Sequence, residues 1–296
     1  MPRGGKRAGA GRPLGTGRFG EAAVTMRIPA SKVGVVSTLL AKHARDVARG
    51  PTQRKGAYRL PKIPADGITI LPRGEALDVL TALAEKKVQA TVVVLDPWYR
   101  SKGAPGRAVY LAEMVPLLAA ASQVGQHVFV WGFAEALARL VDHWPSTLKL
   151  EAWLTWHFKN APSRGKSWRP AQQACLHLRR PGSKLYPEHF YSERHKKMAA
   201  ANKLEFKMGP QNVFEDALLS GFIKRGEQTG YPAQKPVSVM ERLLRMCVKP
   251  GDLVIDPTAG SGTTGVAARK LGCSAILSDR AAQSVRLMKK RLEQSD

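Results

Sequence analysis

A chain of 296 residues is long enough to bury a full core, as one large α/β domain with additions or as two small domains. Its 47 Lys and Arg against 23 Asp and Glu leave a formal charge of +24, which points to a polyanionic partner, nucleic acid first. The sequence has no apolar run of about 18 residues and no long basic amphipathic helix, which argues against a membrane, and the three scattered cysteines, Cys175, Cys247 and Cys273, fit neither a disulfide framework nor a CxxC zinc site.

Residues 1–20, "MPRGGKRAGAGRPLGTGRFG", hold five basic residues, seven glycines and no acid, so a disordered basic arm is expected there. Residues 21–67 follow as a small extension: a short strand over 24–28, a helical pattern with Val33, Val36, Leu39 and Leu40 on one face, and a basic linker from Gly50. The body starts near Ile68. "ITILPRGEALDVLTALAEKKVQATVVVLDPWY" reads strand, turn, amphipathic helix, strand. A helix over 110–121, the strand "HVFVWGF", a helix over 134–141 and the strand "KLEAWLTWHFKN" continue the alternation. From Arg179 the pattern dissolves into "RRPGSKLYPEHFYSERHKKM", basic and rich in aromatic rings. Periodicity returns with a helix over 237–246, the strand "DLVIDP", a glycine loop, a helix and the strand "SAILSD". Such alternation predicts an α/β fold built on a doubly wound, mostly parallel, seven-stranded sheet with a basic N-terminal extension.

Two strand ends carry the chemistry. Val92 to Leu95 form a β-branched run without alternation, the pattern of a strand covered on both faces, and Pro97 ends its ladder. Asp96, Trp98 and Tyr99 are therefore expected at its carboxyl end, where open α/β sheets bind ligands. "LVIDPTAGSGTTGVAARKLG" repeats that design with Asp256. Gly260 and Gly262 permit a sharp turn and the close approach of a ligand, and the helix beginning at Thr263 and Thr264 offers unpaired N–H groups to an anion. The loop has neither the lysine of a phosphate loop nor dinucleotide glycine spacing. Asp279 ends the next strand, positioned to accept ribose hydroxyls, so the pair of sites suits a nucleoside-bearing cofactor.

In this order the motifs resemble those of the S-adenosylmethionine-dependent DNA amino-methyltransferases, in the β arrangement where the catalytic motif precedes the cofactor loop. "DPWY" is similar to the family's DPPY, "DPTAGSGTT" to DPFAGSGTT, "YPAQKPVSVMERLLRMCVKPGDLVIDP" to its HPTQKP helix and following strand, and "LPRGEALDVLTAL" to its LxxGDxLEVL segment. The chain departs from the family at Trp98, which replaces a proline, Thr258, which replaces phenylalanine, Glu75, which replaces aspartate, and Tyr231, which replaces histidine. The resemblance covers 68–292 and implies a Rossmann-like methyltransferase domain, with 179–228 as the target-recognition insert.

What the resemblance implies for individual residues can then be stated. Asp96 and the backbone carbonyl of Pro97 would accept the two N–H bonds of a target amine and free its lone pair, while Tyr99, beside Trp98, would stack the base. Asp256, Thr258, Gly260, Gly262 and Thr263 would line the methionine end of S-adenosylmethionine, Lys235 would sit near its carboxylate, Asp279 would hold its ribose, and Glu75 would complete the site. Arg3, Lys6, Arg7, Arg12 and Arg18 of the arm, with Arg194, Lys196 and Lys197 of the later segment, are the expected DNA contacts. No metal is expected, and His127, His157 and His177 read as packing histidines. The implied partner is DNA in a cytoplasmic restriction-modification setting, with the oligomeric state open, a homodimer included. Adenine N6 is the favoured target because cytosine-N4 members more often carry serine in place of Asp96. Cytosine N4, an RNA substrate, and a DNA-binding regulator with an inert enzyme body are the readings kept beside it.

Overall fold

A computed structural model describes residues 58–97, 107–161, 168–206 and 208–293. The basic arm, the strand-helix extension, Trp98 and Tyr99 lie outside the described residues, as do Arg3, Lys6, Arg7, Arg12 and Arg18.

The body alternates as the sequence pattern predicts. Strands β1 (Ile68–Ile70), β2 (Ala90–Leu95) and β3 (Gly125–Gly132) are separated by helices α1 (Ala76–Glu85) and α2 (Arg107–Val124). The short helix α3 (Ala134–Leu137) leads to β4 (Lys149–His157) and β5 (Gln172–Arg179); then come α4 (Glu193–Ala200) and β6 (Val213–Glu215). Helix α5 (Val237–Arg245), β7 (Leu253–Asp256), α6 (Thr263–Lys270), β8 (Ser274–Leu277) and α7 (Ala282–Glu293) complete the order.

Among the described residues the sheet has eight strands, in the order β1-β8-β7-β2-β3-β5-β4-β6, where the pattern predicts seven. Of the strands that the sequence pattern does not locate, β5 and β6, the latter is only three residues long and owes its place to pairing in parallel with β4, Thr155 opposite Val213. A run that short carries no readable alternation. β5 is antiparallel to both its neighbours, so β4 runs with β2 and β3, and every strand except β5 points the same way.

Covering on both faces follows from the apolar run. Along β2, Val93 and Leu95 enter the core shared with Leu80 of α1 and Met114 of α2, while Val92 and Val94 enter the opposite core with Leu243 of α5, Ala267 of α6 and Met288 of α7. Each such buried side chain contributes roughly 1.5–3 kcal/mol, so a polar substitution anywhere along β2 is costly. β2 is paired in parallel with β7, Val93 opposite Ile255, and the chain leaves β2 toward β3 but leaves β7 toward β8. That divergence is a topological switch point, and Asp96 and Asp256 lie at its carboxyl edge.

His127 and His177 are buried at the other end of these strands, with His127 Nδ1 3.0 Å from His177 Nε2 and Cys247 Sγ 3.6 Å from the same nitrogen. Burial pushes the two imidazoles down to about 4 and about 3, so both are neutral near pH 7. His157, by contrast, is half-buried at the end of β4, 3.4 Å from Glu215. No described helix is long and apolar enough to cross a membrane.

Candidate active site

Thr258 joins the two motif loops. Its hydroxyl accepts a hydrogen bond from the Asp96 N–H at 2.8 Å and donates to Asp256 Oδ1 at 3.0 Å, while its own N–H also donates to that oxygen at 2.9 Å. Thr264 donates to the other Asp256 oxygen at 2.6 Å. With both oxygens bonded inside the loop and only 2 % of the residue exposed, Asp256 braces the glycine loop from within. Burial lifts its carboxyl to about 7, against the pull of the threonine hydrogen bonds, and the nearby Asp96 charge adds to the rise.

Lys235 is the second link. Its ammonium, 5 % exposed, is paired with Asp96 Oδ2 and lies 4.8 Å above the ring of the buried Trp131. The sequence resemblance puts this lysine beside a cofactor carboxylate; in the fold its partner is the carboxylate of the "DPWY" motif, which is one-third exposed. A cation desolvated on an aromatic face and held by an acid is fixed in place, and it offsets the negative charge of Asp96 at the edge of a low-dielectric core. Its backbone carbonyl accepts from Thr263 Oγ1 at 3.1 Å, so one residue touches both motif loops.

The glycine loop turns through left-handed backbone, φ +52° at Gly260 and +78° at Gly262. At Gly260 a Cβ would come within 2.8 Å of the Tyr231 ring, so this glycine leaves room for that ring. Gly260 N–H donates to Asp279 Oδ2 at 3.0 Å and Ala281 N–H to Oδ1 at 2.8 Å, which aims the carboxylate along the loop. Tyr231 is held in turn at 3.3 Å from Ser284 Oγ. Glu75 occupies the N-cap position of α1 without a side-chain capping bond and is exposed, and the preceding Gly74 N–H donates to the Asp279 carbonyl at 3.1 Å.

Three contributors have no signal in the sequence. Arg291 of α7 donates to Thr263 Oγ1 at 3.0 Å and to the Ser261 carbonyl at 3.1 Å, bringing a largely buried cation to the start of α6. Glu227 accepts from the Val237 N–H at 2.5 Å, closing the start of α5. Trp131 supplies the floor beneath Lys235. All three act across the fold, and only their neighbours in space distinguish them from ordinary core or surface residues.

Asp96, Lys235, Thr258, Thr263 and Asp279 are thus gathered at one edge of the sheet, whereas Arg194, Lys196 and Lys197 are not. The excursion that carries α4 is tied down at both ends to the last turn of α5: Tyr186 N–H donates to the Met246 carbonyl at 2.8 Å, and Arg242 donates to the Gln211 carbonyl at 3.3 Å. That turn is about 10 Å along the helix from its first residue, Val237, which follows Lys235 by two positions. Lys196 is paired with Glu193, and Phe190 lies beneath the guanidinium groups of Arg242 and Arg245, so its ring is engaged within the protein.

The arrangement offers a partly exposed carboxylate at a strand end, a tight loop with a helix N-terminus, and an acid at the neighbouring strand end. Residues 109–290 match the model of a family described as DNA methylase. The type II methyltransferase M2.DpnII of Streptococcus pneumoniae is 43% identical over 63 residues, 21% of this chain and 24% of that protein. M2.LlaDCHI of Lactococcus lactis subsp. cremoris is 37% identical over 90 residues, 30% of this chain and 33% of that protein. The chain therefore spans a third or less of the length of these curated relatives. Among solved structures, the M1.HpyAVI-SAM complex is similar with a TM-score of 0.57 and 19% identity, covering 76% of this chain and 98% of that one. The PvuII DNA methyltransferase, described as cytosine-N4-specific, has a TM-score of 0.59 and 17% identity, covering 80% and 91%. At such identities the likeness is one of fold.

Proposed function

The chain belongs to the N6/N4 DNA methylase family, whose model it matches over residues 109–290, and from that premise we propose that it transfers a methyl group from S-adenosylmethionine to the N6 amine of adenine in DNA. One observation carries the reading: Thr258 hydrogen-bonds both the Asp96 N–H and the Asp256 carboxylate, so the acceptor for an amine and the loop for a cofactor form one rigid unit.

The described residues fit the cofactor. Gly260 and Gly262 keep side chains off the loop, the start of α6 offers N–H groups to a carboxylate with Arg291 beside it, and Asp279 retains lone pairs for ribose hydroxyls. When bound, S-adenosylmethionine supplies an electrophilic methyl group on a sulfonium centre. The protein's own contribution lies with the amine. An exocyclic amine is a poor nucleophile because its lone pair is delocalised into the ring. Asp96 Oδ1 and the Pro97 carbonyl would accept its two N–H bonds and favour a tetrahedral nitrogen with its lone pair free for attack. Asp96 would be the adjacent acceptor for the proton that the amine sheds as the donor's carbon–sulfur bond gives way to a carbon–nitrogen bond. Lys235 holds the other Asp96 oxygen, keeping the carboxylate oriented while its charge is used.

The choice of adenine is supported by the aspartate at 96, since cytosine-N4 members more often carry serine there. The PvuII enzyme's specificity does not transfer at 17% identity. Mapping methylated bases across the genome of a methylation-free host expressing the protein tests the reading. It predicts 6-methyladenine at one short sequence, and 4-methylcytosine in its place would reassign the target.

A further inference from the structure

The chain that leaves β6 makes a tight tip at the active end of the sheet. β6 runs parallel to β4, so this tip emerges on the same side as the loops after β2 and β7. Its backbone is pinned on both sides of Phe222. Leu218 exchanges hydrogen bonds with the Asn160 side chain at 2.8 and 2.9 Å, the Ile223 N–H donates to the Ser220 carbonyl at 3.1 Å, and Gln228 Nε2 donates to the carbonyls of Gly221 and Ile223 at 3.0 and 2.7 Å. Lys224, in left-handed backbone with φ 48°, reaches Asp216 at 2.7 Å and Ser238 at 2.8 Å. Ser238 lies in the first turn of α5, three residues beyond the Lys235 that holds Asp96.

At the summit of this rigid tip stands Phe222, 88% exposed, with Ile223 beside it at 38%. A large ring held out on a backbone with so few degrees of freedom has its ordering cost already met, which suits insertion into a partner and not a loosely solvated loop. Arg225 follows it in the chain and is also exposed, and Trp168, 98% exposed, precedes β5 on the same end of the sheet. A net charge of +24 selects a polyanion as the occupant.

We propose that Phe222 is a wedge that enters the DNA duplex beside the target base and fills the space left when that base swings out toward Asp96. This rests on the methyl-transfer reading above and deepens it. An amine inside a base pair is out of reach of a buried-edge carboxylate, so the base must leave the stack, and an apolar side chain inserted at the step stabilises the opened duplex. A projecting ring fits that role better than it fits holding the flipped base, which calls for a concave pocket.

The test compares wild type, Phe222→Ala and Phe222→Leu on two oligonucleotide duplexes carrying the mapped site, one fully paired and one with an abasic position opposite the target. Methyl transfer is measured as kcat/KM, with cofactor affinity and sedimentation alongside. The expected result is a loss of about tenfold or more for Phe222→Ala on the paired duplex, little loss on the abasic one, substantial rescue by Phe222→Leu, and unchanged cofactor affinity. Equal losses on both duplexes, or none on either, overturn the wedge while leaving the methyltransferase reading intact. A dimer that dissociates in Phe222→Ala, with both duplexes affected alike, assigns the ring to a second copy of the chain and also overturns it. Failure of the wild type to methylate either duplex overturns the underlying reading, and the wedge with it.

Discussion

Replacing Thr258 by valine keeps the side chain's shape and removes its hydroxyl, which breaks one of the two links between the motif loops and leaves the other, through Lys235. The Asp96 N–H loses its 2.8 Å acceptor, and Asp256 Oδ1 keeps the Thr258 N–H at 2.9 Å but loses the hydroxyl donor at 3.0 Å. An orphaned backbone donor in a partly buried setting costs about 1–3 kcal/mol. Thr258 is intermediate in exposure, so water restores part of this, and the lower half of the range applies. For a domain of this size about 1–2 kcal/mol corresponds to a fall in Tm of roughly 2–8 °C. The catalytic effect should exceed the stability effect, because Asp96 is then fixed only through Lys235, and a displacement on the order of 1 Å in an acceptor can cost about a hundredfold in rate. Thr258→Ser, which restores the hydroxyl, should recover most of both. Calorimetric melting with single-turnover methyl transfer reads the two effects separately. Thr258→Val with wild-type turnover, or Thr258→Ser as impaired as Thr258→Val, would refute the reasoning.

Asp96→Asn should abolish methyl transfer while cofactor affinity by titration calorimetry stays within a few-fold, since Asp96 faces the amine; a parallel collapse of cofactor affinity would misassign the two loops. Gly260→Val should do the reverse, because left-handed backbone and the Tyr231 ring at 2.8 Å leave no place for a branched side chain; retained tight cofactor binding would reject this loop as the site. Acid should expose two opposed titrations: His127 and His177, neutral when folded down to about 4 and about 3, give stability that is present above their ordinary 6.5 and lost as pH falls below it, whereas Asp256, raised to about 7, takes up its proton in the folded state and softens that loss. Asp256→Asn should therefore lose stability more steeply than wild type between pH 7 and pH 4 in urea denaturation, and parallel curves would contradict the assignment. Deleting residues 1–20, with their five positive charges, should weaken DNA binding and flatten its log-log salt dependence by up to about 4 units, leaving the methylated sequence unchanged; an unaltered slope would show that the arm contributes nothing.

Much of the fold is readable in the sequence because the signals are local. The unbroken Val92–Leu95 run, the prolines after Asp96 and Asp256, and the helix after the glycine loop all report their own environment. β6 and α4 are not readable, since a three-residue strand is defined only by its partner β4, and α4 has no buried residue to give it a period. The C-terminal helix α7 is likewise silent about its role, yet Arg291 reaches back from it to Thr263. Lys235 shows the same division within one residue. Its motif marks it as part of the site, but that its ammonium meets Asp96, with Trp131 beneath, depends on β2, β3 and the start of α5 meeting at one edge. Thr258 reads as a departure from the family pattern in sequence and emerges in the fold as the hydrogen-bonded link between strands.

The central claim is tested most directly by incubating unmethylated DNA with the purified full chain and S-adenosylmethionine labelled in its methyl group, digesting the DNA to nucleosides and separating them. The account predicts label in 6-methyladenine, and none with Asp96→Asn. Label in 4-methylcytosine alone would contradict the choice of adenine, and no label in any nucleoside from DNA would contradict the assignment of a DNA methyltransferase.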